Sequence, residues 1–335
     1  MDSITHIALG ACVGEILLSK KLGKKALLWG IVAQNLPDID TLPGIFMRGD
    51  RALLFHRGIT HSLFFALVIG LLLAWLAKNI HRKPNIPFAT LAFFFCFQLG
   101  LHDLLDTCNS YGTGLLEPFS HHRFSINLLY VADPLFTISL VVVALLLIFK
   151  SSKAKHRVTW ASMAIAVSVA YLCFSAINKI AIDNKVDATI KQQNYFTTPA
   201  PFNNMLWYVV ANAGSGYYTG YSSIWDKSAI VYGFHPKNDF LINKSGNASL
   251  KNNLITFADD YYTVTDSGKT IYVNILRFEQ VQGWQNTREP FALRYPLSAM
   301  DNENMIIQKG RLTGWNKKSF KLYLERIAGR QTQTK

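Results

Sequence analysis

The chain has 335 residues, half of them hydrophobic and only 16% charged, with a mean hydropathy of +0.16. That is too apolar for an ordinary soluble domain and points to a membrane protein. The net charge of +13 would suit nucleic acid, but much of it sits in short loops between apolar runs. Membrane orientation explains such loops, so no nucleic-acid partner is expected.

In chain order, two short apolar runs come first, Ile7–Leu18 and Ala26–Leu36. They are short for full spans and are expected to form a helical hairpin packed against later helices. No basic region precedes the first run, so no cleavable signal peptide is expected. Four longer runs follow: Leu63–Ala77, Pro87–Leu101, Leu135–Phe149 and Val158–Ile177. With their flanks, each approaches the length needed to cross ~30 Å of hydrocarbon. The cysteines, Cys12, Cys96, Cys108 and Cys173, show no pair spacing and predict no disulfide framework.

The loops after runs 1, 3 and 5 hold eleven Lys or Arg and no acid: Lys20, Lys21, Lys24, Lys25, Lys78, Arg82, Lys83, Lys150, Lys153, Lys155 and Arg157. The alternate segments 37–60 and 102–127 hold four, Arg48, Arg51, Arg57 and Arg123. The positive-inside rule puts the first set in the cytoplasm and the second outside. From about residue 186 the pattern changes to period two, as in Leu206–Val210, Tyr217–Tyr221, Thr270–Phe278 and Phe320–Leu324. These read as strands of a β-rich domain. The expectation is an all-α polytopic helical bundle over residues 1–185, then an extracytoplasmic β-rich domain over 186–335. The polar segment Asp183–Pro201 reads as the linker, and His235 as a structural or surface residue.

Chemistry-bearing residues gather where the runs meet the outer face. His6 opens run 1, and run 2 leaves through Pro37-Asp38-Ile39-Asp40. Run 3 is entered from His56-Arg57-Gly58-Ile59-Thr60-His61-Ser62, and run 4 exits through His102-Asp103-Leu104-Leu105-Asp106. Apolar segments normally exclude such groups, because burying them unpaired costs several kcal/mol. His102 and Asp106 are spaced i, i+4, which puts both on one helix face. Asp38 and Asp40, extended after a helix-ending proline, would point the same way. Gly58 would permit a tight backbone between His56 and His61. Imidazoles with carboxylates suit zinc, manganese or iron better than calcium or magnesium alone. His6, Asp38, His56, His61, His102 and Asp106 are the expected metal ligands. Asp38 or Asp40 would be general base or bridging ligand, and Arg57 or Arg123 would steady an anionic oxygen. Asp103 would orient a ligand. Asp133 reads as a cap, and Thr60, Ser62, Asn109 and Thr113 are polar neighbours without an assigned role.

The order of these motifs, with Tyr111-Gly112-Thr113 and Pro118-Phe119-Ser120 after them, resembles the YdjM-like family of inner-membrane proteins. That family is described as predicted membrane-bound metal-dependent hydrolases. The likeness covers roughly residues 1–180 and is most specific in HRGxTHS and HxxxD. More remotely, the ligand order is similar to zinc-dependent phospholipase C and the single-strand-specific zinc nucleases. That similarity implies His6, Asp38, His56 or His61, His102 and Asp106 as zinc ligands, with His121, His122 and Glu117 as further candidates. Together these readings predict a metal-dependent, zinc-type hydrolase in the inner membrane. Its site would face outward and act on a phospholipid or lipid-linked phosphoester. The alternative is a non-catalytic metal-binding or scaffolding membrane protein. A transporter fits less well, because runs 3 to 6 carry almost no polar residue at their centres, Gln98 excepted. Oligomeric state is not readable from the sequence.

Overall fold

Each apolar run of the N-terminal half is helical in the computed structural model of the chain. The structure describes all residues except 48, 83–84, 152–153, 191–193, 243–247, 269, 298–313 and 331–335. Arg48, Lys83 and Lys153 of the charge pattern therefore lie outside the described residues. The chain forms two compact units, residues 1–43 with 55–174, and residues 44–54 with 175–335.

The first unit starts with α1 (Ser3–Leu22) and α2 (Lys25–Asn35), the expected hairpin. Gly10 and Gly30 let the two backbones touch: a Cβ on Gly30 would strike the Gly10 carbonyl. Small residues at such a crossing allow close helix packing in an apolar setting. A 3-10 turn (Pro37–Asp40) leads into α3 (Thr41–Gly44), α4 (Gly49–Phe55) and a second 3-10 turn (Ile59–His61). Ser62 caps α5 (Leu63–Ile80) by accepting from the Phe65 amide. α6 (Phe88–Asp106) follows, then α7 (Pro134–Phe149), capped by Asp133 as expected. Asp133 also accepts from the Tyr171 hydroxyl at 2.8 Å. α8 (Arg157–Thr189) runs past the division between the units.

Three helices, α5, α6 and α8, are long and apolar enough to cross a membrane, which makes this a membrane protein. α7 has 16 residues, about 24 Å at ~1.5 Å per residue, and falls short of a ~30 Å core unaided. Leu67, Leu71, Leu72 and Trp75 leave an apolar face of α5 exposed, as a helix whose solvent is lipid requires. At the end of the bundle away from His6, Arg157 meets buried Glu15 bidentately, Nε at 2.9 Å and Nη2 at 2.8 Å.

The second unit holds two antiparallel sheets. The first is β1 (Tyr195–Pro199), β2 (Leu206–Asn212), β3 (Gly216–Ser223) and β4 (Tyr232–Pro236), in that order. The second is β5 (Tyr262–Asp266), β6 (Ile271–Ile275) and β7 (Arg294–Pro296). β2 is covered on both faces. Leu206, Tyr208 and Val210 pack with Tyr217 and Tyr323. Trp207 and Val209 pack with Ile182 and Val186 of α8. His235 is structural, its Nε2 2.9 Å from the Thr219 hydroxyl. In chain order α9 (Asp239–Ile242) and α10 (Ala248–Ala258) come between β4 and β5, and Asn253 of α10 donates to Asp50 at 2.7 Å.

Two expectations are corrected here. Phe320–Leu324 is not a strand but part of α11 (Lys317–Ile327), which Asn316 and Ser319 open with a capping box. Ser319, Tyr323 and Arg326 supply its buried side at helical spacing. Asp183–Pro201 is not a free linker, since α8 continues to Thr189 and β1 starts at Tyr195.

Candidate metal centre

The first unit brings His6, Asp38, His61, His102 and Asp106 together from α1, the two 3-10 turns and α6. Ligand atoms of Asp38, His61, His102 and Asp106 all lie within 4.8 Å of one another. Asp40, His56 and His61 form a second such group. His6 stacks on His102 with ring centroids 3.8 Å apart, and its Nε2 is 3.3 Å from Asp106 Oδ1. The Met1 backbone nitrogen also lies against Asp106 Oδ1.

The Nδ1 atom of every one of these histidines has an acceptor. His102 Nδ1 donates to the Gln34 main-chain carbonyl at 2.6 Å, and His6 Nδ1 to Gln34 Oε1 at 3.1 Å. His56 Nδ1 donates to Asp40 Oδ1 at 2.8 Å. Thr60 donates its hydroxyl proton to Asp40 Oδ2 at 2.7 Å, so its oxygen accepts from His61 Nδ1 at 3.1 Å. Neutral imidazole carries one N–H, and anchoring it at Nδ1 leaves the Nε2 lone pair bare. Those bare nitrogens face oxygens that also only accept. His61 Nε2 is 3.3 Å from Asp38 Oδ1 and 3.6 Å from Asp106 Oδ2, and His102 Nε2 is 3.9 Å from Asp38 Oδ1. His61 Nε2, His102 Nε2 and Asp106 Oδ2 are buried without a hydrogen-bond partner. Acceptors packed against acceptors in a buried site are relieved by a cation between them, and this group could hold a metal ion. Ligand atoms ~2.0–2.2 Å from one tetrahedral ion lie roughly 3.4 Å apart, close to these separations. The donor set therefore fits a divalent transition metal.

Both oxygens of Asp40 are already engaged in hydrogen bonds. Besides His56 and Thr60 it takes the Arg57 amide at 3.0 Å and flanks His61 Nδ1 at 3.3 Å. Burial pushes its carboxyl up, but His56 and His61 outweigh that and hold it far below the usual carboxylate range. Asp38 is different. It keeps 19% of its side chain exposed and opens on a cleft that also reaches His56. Burial again raises it, but the His61 and His102 rings hold it down at about 2. His61 is pulled down by burial and, more strongly, up by Asp38 and Asp40, so it lies above its ordinary value. His56 is lowered, chiefly by burial.

Arg57 adopts a left-handed backbone, φ 63°. The positive φ falls there and not at Gly58. Such a conformation in a bulky residue is held by its surroundings. The guanidinium is buried over the Tyr111 ring at 4.8 Å, donates to Asn109 Oδ1 at 2.7 Å, and sets Nε 3.0 Å from Asp106 Oδ2. That last contact is an ion pair without hydrogen-bond alignment. Burial lowers Arg57 to about 10, so it stays charged at neutral pH. Arg123 donates to the His56 and Gly112 carbonyls at 3.2 and 3.3 Å, bracing the loop. Asp38 and Asp40 are not extended but lie on the 3-10 turn that Pro37 starts. The two carboxylates consequently serve different partners. His121 pairs with Glu117 at the surface, and neither they nor His122 enter the two clusters. Asp103 is fully buried with both oxygens unpaired, and it orients no ligand by hydrogen bonding.

With that geometry in place, likeness to known proteins is informative. A family model described as YdjM inner membrane protein matches residues 1–181, more than half of the chain. The chain belongs to the YdjM inner membrane protein family. It is similar to inner membrane protein YbcI of Escherichia coli (strain K12), 37% identical over 123 residues, 36% of this chain and 69% of YbcI. It is also similar to uncharacterized protein YfhP of Bacillus subtilis (strain 168), 26% identical over 155 residues, 42% of this chain and 44% of YfhP. No solved structure matches it, so the likeness to zinc-dependent phospholipase C rests on ligand order alone. In this YdjM family member the residue that sequence does not single out is Gln34. It anchors two histidines, one by its side chain and one by its carbonyl, and its amide is held by Gln98 at 2.8 and 3.1 Å. Gln98 itself was visible as a lone polar residue in an apolar run; Gln34 sits next to Asn35 at a run's end and carries no such contrast.

Proposed function

We propose that the protein is a metal-dependent hydrolase at the membrane surface, acting on a phosphoester such as a phospholipid or a lipid-linked substrate. One observation carries the reading: bare imidazole nitrogens and carboxylate oxygens converge beside an open cleft. A structural metal site is closed, whereas a catalytic one leaves room for water and substrate. Asp38, His61, His102 and Asp106 would hold the ion, with His6 beside them. A divalent cation there, zinc for this donor set, would supply Lewis acidity to a phosphoryl oxygen and lower the pKa of an adjacent water.

The remaining work falls to the chain's own residues. Asp38, ionised and partly exposed on the cleft, is placed to orient a water and accept its proton. Asp40 fixes the His56 and His61 tautomers. Arg57 neutralises buried carboxylate charge next to Asp106 and ties it to Asn109. The charge pattern supports an outward-facing site. The site occupies one end of the first unit's helices, and Lys20, Lys21, Lys24, Lys78, Lys150 and Lys155 occupy last turns or loops at the opposite ends. By the same rule the C-terminal β-rich unit lies outside the cytoplasm.

Purified protein, stripped with chelator and reloaded with zinc, should hydrolyse bis(p-nitrophenyl) phosphate only when loaded. Asp38→Asn, assayed at saturating zinc so that weakened metal binding is not read as lost catalysis, should lose at least ~10²-fold in kcat, the scale of a missing general base. Equal turnover by stripped and loaded protein would refute the proposal.

A further inference from the structure

The cleft at Asp38 has a composition that bears on what it accepts. It encloses about 630 Å3 between the start of α1, the end of α2 and the turn into α3. Val32, Leu36, Ile39 and Leu42 form its apolar wall. Val32 is 39% and Leu42 59% exposed. Leu28, Val32 and Leu36 recur at i, i+4 and i+8, one face of a helix. Leu28 is 62% exposed, so an apolar track leads from the cleft along α2.

No Lys or Arg lines the cleft among the described residues, and Asp2 stands at it. The charged side chains behind it are already balanced. Asp38, Asp40 and Asp106 bring three negative charges, Arg57 brings one positive charge, and one divalent ion would bring two more; the Met1 ammonium beside Asp106 is offset by Asp2 at the same cleft. An ionised Asp103 would only add negative charge. The Arg57 guanidinium is buried on Asn109 and Asp106 and does not line the cleft. A doubly charged phosphate would therefore meet no surplus of positive charge, and a low-dielectric site makes that mismatch expensive.

We infer that the cleft selects a lipid phosphodiester, singly charged at phosphorus and with an apolar chain laid along α2, over phosphomonoesters and diphosphates. The inference rests on the hydrolase reading above and narrows its substrate class. In the reaction, the oxygen of water bonds to phosphorus as the P–O bond to one alcohol breaks. One water proton passes to the departing alkoxide and the other remains on the phosphomonoester. The products are an alcohol and a phosphomonoester, and the latter would be held poorly for the same charge reason.

The test is binding, with hydrolysis as a separate readout. Zinc-loaded full-length protein in detergent at pH 9 is titrated calorimetrically with dodecyl(ethyl)phosphinate, a singly charged mimic with no P–O–C bond to hydrolyse, and with dodecylphosphonic acid, which is largely doubly charged at that pH. The monoanion should bind at least tenfold more tightly. Leu42→Asn, which removes apolar surface without adding charge, should weaken the dodecyl phosphinate about tenfold, and ethyl(methyl)phosphinate much less. Equal or tighter binding of the dianion overturns the charge selection. Equal loss for long and short chains overturns the apolar track. Either result could coexist with hydrolysis of bis(p-nitrophenyl) phosphate, so the hydrolase reading would survive it. Selective binding with no turnover of any diester would instead sink the hydrolase reading and leave the charge selection standing.

Discussion

Each Nδ1 at the centre has its own acceptor, so single substitutions separate holding a metal from orienting its ligands. Asp40 touches no bare nitrogen, yet it aligns His56 and His61. Asp40→Asn should weaken metal binding about 10–100-fold, the usual effect of losing such a partner. It should also change the pH dependence. Metal binding needs neutral His61, and Asp38 and Asp40 raise that ring above its ordinary value. Protons therefore begin to compete above pH ~6.5, and affinity falls further as the pH drops. Removing the Asp40 charge lowers the His61 pKa, so the onset should move to lower pH; a metal titration from pH 5.5 to 8.5 reads both effects. An unmoved onset would mean that Asp40 does not set the His61 charge. Of these residues the ligands were visible in the sequence, because His and Asp stand out at the ends of apolar runs. Their division of labour was not. Asp38 and Asp40 look alike in sequence, and only the turn shows that one faces the cleft and the other is spent on hydrogen bonds.

Among the elements, the apolar runs were readable because 15 or so consecutive apolar residues leave few alternatives to a helix. The short pieces were harder. Pro37 both ended α2 and opened a 3-10 turn, so the Asp-x-Asp segment was not extended. Phe320–Leu324 alternates over five residues, too few to exclude a helix whose buried side is Ser319, Tyr323 and Arg326. Because His6 rides on α1 and Gln34 on α2, the hairpin and the metal centre should fail together. Gly30→Ala forces a methyl into the Gly10 carbonyl, an overpacking that costs typically ~1–3 kcal/mol. It should lower both thermal stability and metal content; a lowered Tm with full metal content would separate hairpin and site. At the other end of the bundle, Arg157→Ala would strand Glu15 as a buried unpaired charge and cost about 3–5 kcal/mol. Glu15→Gln in the same chain should recover part of that loss in a thermal melt.

For the whole molecule, α5, α6 and α8 are the candidate membrane spans, while the proposed orientation rests on where the basic residues lie. In a cysteine-free background, Lys317→Cys should react with an impermeant maleimide on intact spheroplasts. Lys20→Cys should react only after permeabilisation. The reverse pattern would put the metal centre on the cytoplasmic side and remove the lipid-surface argument in its present form. The claim on which the rest depends is that a divalent metal sits among Asp38, His61, His102 and Asp106. Elemental analysis combined with X-ray absorption on the purified chain tests it most directly. The expected result is about one equivalent of a divalent transition metal with nitrogen and oxygen ligands at ~2.0–2.2 Å, lost in His102→Ala and in Asp106→Ala. Full metal content in both variants, or a wild-type chain that takes up no metal on reconstitution, would contradict it.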